Sequence, residues 1–289
     1  MREWGLVEPQ VVVAGPASWN TLVRLDRLPE PRPQTVFARE TVRTLGGTSA
    51  GKALHLADLG MRVRLVTTVG TDAEADLVLG ALDRGGIELV ARRTDGPTEQ
   101  HLNLMTDAGE RVSIYLATAE PAGPPSAEVL AGAGHVVLDL STAGLELLPA
   151  ARASGATLWT DLHDYDGVAE FHRPFADACS HVFLNDDGTP DHRAVMEGLL
   201  ARGATTVVCT LGARGAVALT ADGWSTCPAE PVDVVDTNGA GDAFFAGFLV
   251  AHLRGESTTA CLHAGARQAV RALRSRHLSP LLDEVHPAG

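Results

Sequence analysis

Short, continuously apolar runs recur along the chain at residues 10–15, 62–70, 87–91, 135–140, 157–162, 181–185 and 205–210, each of a length that suits a strand buried on both faces. Segments with helical spacing of apolar residues separate them, at 53–59, 72–84, 143–153 and 192–201, and longer helices follow at 243–253 and onward to 274. This alternation predicts an α/β fold with a doubly wound, mainly parallel sheet flanked by helices. Residues 232–235 read as one more buried strand.

Two segments break the alternation. Residues 35–42 and 100–116 alternate polar and apolar positions, the second around the turn Asp107-Ala108-Gly109-Glu110. Pro29, Pro31 and Pro33 set the first of these apart from the opening strand, so it is expected in a different sheet. A further hairpin is expected at 216–220 and 224–229, around Asp222-Gly223.

Composition narrows the function classes. The chain is 45% hydrophobic but only 4% aromatic, so the core is aliphatic and few rings are free to stack on bases. A net charge of −13 argues against nucleic acid or an anionic membrane as the main partner. Cys179, Cys209, Cys227 and Cys261 lie far apart, without CxxC spacing, as reduced core residues of a cytoplasmic protein do. Met1-Arg2-Glu3-Trp4 does not begin a signal peptide, and no apolar run reaches the ~20 residues of a membrane helix. The eleven histidines form no HExxH and no Cys/His cluster.

Candidate chemistry concentrates in Asp236-Thr237-Asn238-Gly239-Ala240-Gly241-Asp242, between the run at 232–235 and the helix that follows. Glycines without Cβ atoms let the backbone curl until successive amides converge at the positive end of a helix, which makes an anion hole. Asp242, in the first turn, is placed to take a proton from an incoming hydroxyl. A plain capped helix fits the same residues.

A second glycine-rich stretch, Leu45 through Ala53, is ambiguous. Gly46 to Lys52 fits GxxxxGK, but Ala53 stands where a P-loop needs Ser or Thr, with Asp139 as a conceivable second acidic motif. Gly47 to Gly51 fits GxSxG, with Ser49 as a hydrolase nucleophile. Either motif should directly follow a buried strand, whereas Arg39, Glu40, Arg43 and Thr44 are polar. Asp161, His163 and Asp164 group at the end of an apolar run, where ligand sites of open α/β sheets lie.

Together the heptad and the glycine stretch resemble the ribokinase-like (PfkB) family of carbohydrate and nucleoside kinases, in order along nearly the whole chain. The resemblance implies one kinase domain over 1–289, with a β-sheet lid from about 16–45 and 98–118 that also pairs two chains. It implies ATP and Mg2+ as cofactors and a sugar, sugar acid or nucleoside as acceptor. Gly239, Ala240 and Gly241 would cradle phosphate and Asp242 would act as base. Asn185, Thr210, Gly212, Gly215 and Thr237 would line the nucleotide, although Gly188 replaces the glutamate that organises magnesium, leaving Asp186 and Asp187 as substitutes. Ser18, Asn20, Gly46, Gly47, Thr48 and Gly51 would face the acceptor, with Asn20 in place of the family's aspartate. Asp236 and Asn238 would hold K+. The alternatives are a non-catalytic binding protein of the same fold and a serine hydrolase using Ser49.

Overall fold

The computed structural model describes residues 11–106, 109–120 and 122–283. The chain opens with β1 (Val11–Ala14) and then enters a small sheet through β2 (Ser18–Leu25) and β3 (Glu40–Gly46). Helix α1 (Thr48–Asp58) leads back to β4 (Val63–Val69), α2 (Ala73–Leu82) and β5 (Ile87–Arg93). The hairpin β6 (Gln100–Thr106) and β7 (Arg111–Ala117) interrupts the alternation, which resumes with β8 (His135–Leu138), α3 (Thr142–Ser154), β9 (Thr157–Asp161), α4 (Arg173–Ala178) and β10 (His181–Asn185). Then come α5 (His192–Ala201), β11 (Thr206–Thr210), β12 (Ala216–Thr220), β13 (Gly223–Cys227), α6 (Ala240–Leu253) and α7 (Thr258–Leu273).

Among the described residues nine strands form the main sheet, in the order β13-β12-β11-β10-β9-β8-β1-β4-β5, parallel from β11 to β5 and antiparallel at β12 and β13. Because period-2 side chains point to opposite faces, Val11 and Val13 enter the core under α1, α2, α6 and α7, while Val12 and Ala14 enter the core under α3, α4 and α5. The strand order reverses at β1, between β8 and β4, and the carboxyl ends beside such a reversal leave a crevice. Gly15, Asp139, Asp161, Asn185 and Thr210 all lie at those ends.

The smaller sheet, in the order β3-β2-β6-β7, stands apart from the main one. Its first strand, Ser18–Leu25, lies within the 16–45 range that the resemblance gave the lid, and pairs with both β3 and β6. The strand expected at 35–42 runs instead over Glu40–Gly46, because Arg24 pairs with Glu40 and the register follows from there. Residues 35–39 lie outside it, with Phe37 exposed. A strand therefore does precede Gly46, but in the small sheet. The tip residues Asp107 and Ala108 of the expected hairpin turn, like the amino-terminal segment up to Gln10, lie outside the described residues.

Residues 232–235 form no strand. The main sheet ends at β13, and the Val235 amide instead donates to the carbonyl of Leu273 at the end of α7, leaving Val234 and Val235 exposed. A short run of valines has the same pattern whether or not a neighbouring strand is there to pair with it.

Candidate active site

Gly47 precedes α1 with φ of 93°, and a Cβ there would lie 2.5 Å from the Pro16 carbonyl oxygen, so the turn after β3 requires glycine. This tight entry sets the amino end of α1 against the loop after β1. The Asn20 side chain folds over Gly46, and Ser18 Oγ lies beside it. Both Ser18 Oγ and Asn20 Oδ1 are buried without a hydrogen-bond partner among the described residues, which leaves polar groups for a ligand to satisfy. Thr48 and Ser49 donate to Asp139 Oδ2, at 3.3 and 2.7 Å. Ser18, Asn20, Gly46, Gly47, Thr48 and Gly51 are thus gathered in one place.

Gly51, on the next turn, faces Asp242. A methyl group at 51 would lie 2.4 Å from Asp242 Oδ2, so only glycine leaves room beside that oxygen. Asp242 sits in the first turn of α6, whose preceding residue Gly239 is left-handed, φ 78°. The first amides of any helix lack intrahelical acceptors; here the Ala240 amide makes a long turn bond to the Thr237 carbonyl at 3.4 Å, and those of Gly241 and Asp242 open the helix beside the carboxylate.

Lys52, which the GxxxxGK match offered as a phosphate-binding lysine, is central to this geometry. Its Nζ is fully buried and lies 2.9 Å from Asp242 Oδ1, 3.1 Å from Asp139 Oδ1 and 3.2 Å from Asp161 Oδ2. Burial works to discharge the ammonium, but Asp139, Asp242 and Asp161 together outweigh it and raise its pKa above the ordinary lysine value. Burial dominates at Asp242, pushing the carboxyl up to about 6 against the pull of Lys52. Asp161 goes the other way: burial would raise it, yet His163, Lys52 and the His163 amide bring it down to about 2. The buried ammonium cannot reach a nucleotide phosphate, so the P-loop reading fails. Ser49, buried and donating to Asp139, lacks the histidine base a hydrolase elbow needs among the described hydrogen bonds.

On the nucleotide side, Asn185 ends β10, and its Oδ1 accepts from the Asp187 amide at 3.0 Å. Gly188 cannot carry a side chain: a Cβ there would lie 1.7 Å from the Asp164 carbonyl oxygen. The loop after β9 therefore occupies the place of the missing glutamate. Asp186 is paired with Arg214, from the Gly212–Arg214 turn that follows Thr210, and Gly215 packs against the Cys227 carbonyl. Thr237 lies near Gly109, at the tip of the β6–β7 hairpin. Asp236, also in the heptad, accepts from Asn238 N and from Arg24 of β2.

Sequence reasoning named Lys52, Asp139 and Asp161 separately but did not place them in one site with Asp242. The GxxxxGK match and the acidic ends of two strands were visible, but no local spacing connects positions 52, 139, 161 and 242.

Comparison with known proteins supplies the last observation. The pfkB family carbohydrate kinase pattern matches residues 9–283. The chain is 34% identical over 266 residues to the acarbose 7(IV)-phosphotransferase of an Actinoplanes species, covering 89% of each chain. It is 28% identical to a nucleoside kinase of Methanothermobacter thermautotrophicus, over 87% of this chain and 85% of that one. Among solved structures, the microbiome-derived acarbose kinase Mak1 matches with a TM-score of 0.82 at 29% identity, covering 93% and 94% of the two chains. Arabidopsis thaliana ribokinase, solved with ribose and ATP, shares the fold at a TM-score of 0.78 and 23% identity, over 97% and 98%.

Proposed function

Because the chain belongs to the pfkB family of carbohydrate kinases, we propose that Asp242 is the general base with which it transfers the γ-phosphoryl group of ATP to an acceptor hydroxyl. Membership makes it an ATP-dependent sugar or nucleoside kinase. The observation that carries the assignment of Asp242 is its carboxylate: one oxygen is pinned by Lys52, and the other faces the gap left by Gly51, beside the opening amides of α6. A hydroxyl entering that gap gives its proton to Asp242 Oδ2 as its oxygen bonds to phosphorus and the bond to ADP breaks. The amides of Ala240, Gly241 and Asp242 and the dipole of α6 stabilise the charge spread over the phosphoryl oxygens. Ser18 and Asn20 orient the acceptor through their unpartnered oxygens. The nucleotide lies across Asn185, Thr210, Gly212, Gly215 and Thr237. We take a sugar hydroxyl as the acceptor group, and acarbose, named in two relatives, as the first compound to test.

Mg2+ fits the hard oxygen donors at the end of β10, the Asp187 carboxylate and the Asn185 side-chain oxygen, with phosphates and water as its other ligands. Asn185 and Asp187 would hold it, and it would neutralise phosphate charge. K+ does not fit beside Asp236, whose two oxygens already accept from Asn238 and Arg24. The small sheet acts as a lid, and its outward-facing Val112, Ile114 and Leu116 pair two chains. Four free buried cysteines agree with a reducing cytoplasm.

An ADP-release assay over acarbose, pentoses, hexoses, sugar acids and nucleosides identifies the acceptor. With it, Asp242→Asn should fold and bind ATP as before while kcat falls by about 10² to 10⁴, roughly 3 to 5 kcal/mol of barrier. A kcat within a few-fold of wild type would show that another group takes the proton.

A further inference from the structure

Arg24 lies on the lid strand β2, yet its guanidinium reaches the turn that precedes the anion hole. Its Nη2 donates to Asp236 Oδ2 at 2.6 Å and to the Val235 carbonyl at 3.1 Å, a pairing of carboxylate and backbone oxygen that a metal cation would also seek. Glu40, across the β2–β3 pair, steadies the guanidinium at 3.6 Å and is itself 3.7 Å from Arg276. The Asp236 side chain is almost entirely buried, and its other oxygen accepts from the Asn238 amide at 2.7 Å. Besides Arg24, the Arg111 guanidinium from β7 and the His277 ring from the segment after α7 face this carboxyl. A further monovalent cation would have to displace a guanidinium and enter among like charges.

We infer that the Arg24 guanidinium fills the place of a monovalent cation beside Asp236 and so holds the heptad in its phosphate-binding shape without potassium. Arg24 is a positioning residue in this role: it touches neither acceptor nor nucleotide, but fixes the turn through which Gly239 and the first amides of α6 are aimed. Its origin in β2 also ties the lid to the anion hole, so the built-in cation arrives on the element that covers the acceptor. The inference rests on the phosphoryl-transfer reading for its kinetic arm only.

The experiment compares wild type, Arg24→Met and Arg24→Lys in KCl and in tetramethylammonium chloride at equal ionic strength, measuring kcat with the accepted sugar and the melting temperature without any ligand. Wild type should show the same kcat, within about twofold, and the same melting temperature in both salts. Arg24→Met should lose roughly tenfold to a hundredfold in kcat in tetramethylammonium, with KCl restoring most of it and raising the melting temperature of that variant alone. Arg24→Lys should retain activity and remain indifferent to KCl. Stimulation of wild type by KCl overturns the inference, as does an Arg24→Met variant that is fully active in both salts. Where Arg24→Met does not fold or is not rescued, Arg24→Lys decides: an active, KCl-indifferent lysine variant supports a positional charge, and one as impaired as the methionine variant overturns it. The melting arm needs no acceptor, so failure of the kinase reading and failure of the cation reading are separable.

Discussion

The two ends of the main sheet bury ionisable groups in opposite ways, and α6 runs from one to the other. At the carboxyl ends, Lys52 meets Asp139, Asp161 and Asp242, and opposite charges keep the lysine and Asp161 ionised. At the amino ends, Trp159 Nε1 donates to His135 Nδ1 at 3.1 Å, the indole stacks on His181 at 3.9 Å, and His252 from the last turn of α6 meets both Trp159 and His181 edge-on. Burial pushes His181 down to about 3 and lowers His135 and His252, with no carboxylate to offset it. A buried group thus stays charged only where partners of the other sign surround it, and otherwise gives up its charge. The proposed chemistry belongs at the first end, because a charge in low dielectric, already paired and aimed, acts on a reacting group without reorganising.

Breaking the first cluster should give the largest effect on stability. Lys52→Met keeps the length of the side chain but leaves three carboxylates buried without their cation, so urea unfolding should show a loss of about 3 to 5 kcal/mol. Asp139→Asn removes one carboxylate from an over-supplied cluster and should cost less. Were Lys52→Met to unfold within about 1 kcal/mol of wild type, the cluster would be hydrated in solution and the electrostatic contrast between the two ends would fail. Loss of nucleotide binding by a Lys52 variant would then report collapse of the site, since the buried ammonium makes no phosphate contact.

Most of the architecture was written in local pattern. The buried strands of the parallel sheet, the helices between them and the Gly239-Ala240-Gly241-Asp242 turn each carry their own signal within a dozen residues. The failures share one cause, which is that pairing partners distant in sequence decided the outcome. Local pattern marks no strand at Ser18–Leu25 until β3 and β6 lie beside it, and residues 232–235 look like a strand until the sheet is seen to end at β13. Lys52 is the sharpest case. Its motif suggested phosphate, and only the approach of β8, β9 and α6 turns it toward three aspartates. Gly188, which stands in place of a functional glutamate, and Gly51 are places where the Asp164 backbone and Asp242 come too close for any side chain.

The amino end should yield a smaller effect, seen as acid sensitivity. A histidine whose folded pKa lies below its ordinary 6.5 is protonated first in the unfolded chain, so stability falls as pH drops from about 6.5 toward 3. For His181 alone this amounts to about 2 kcal/mol between pH 6.5 and 5. Asp242 works against it: with its carboxyl raised from 3.8 to about 6, the folded chain binds the proton first and gains stability over that window as pH falls. His181→Phe should therefore flatten the acid side of the stability curve, and Asp242→Asn should steepen it. Identical slopes in wild type and His181→Phe would mean that the ring already has water at its nitrogen.

The smallest effect separates the two ends most cleanly, because it is read in rate. Asp242 must be ionised to accept a proton, so kcat/KM should fall about tenfold per pH unit below its pKa of about 6. A helix start alone would hold an aspartate well below that value and make it a poor base. Here burial overrides the dipole, and Lys52 limits how far the carboxyl rises, leaving a carboxylate that is ionised at neutral pH yet basic enough for the proposed proton transfer. His181→Phe acts at the other end of α6 and should leave the limb where it is, although it moves the stability curve in the same pH range. A limb that shifts with His181→Phe would be partial unfolding, and one that stays near 4 would mean that water reaches Asp242 until the acceptor closes the site.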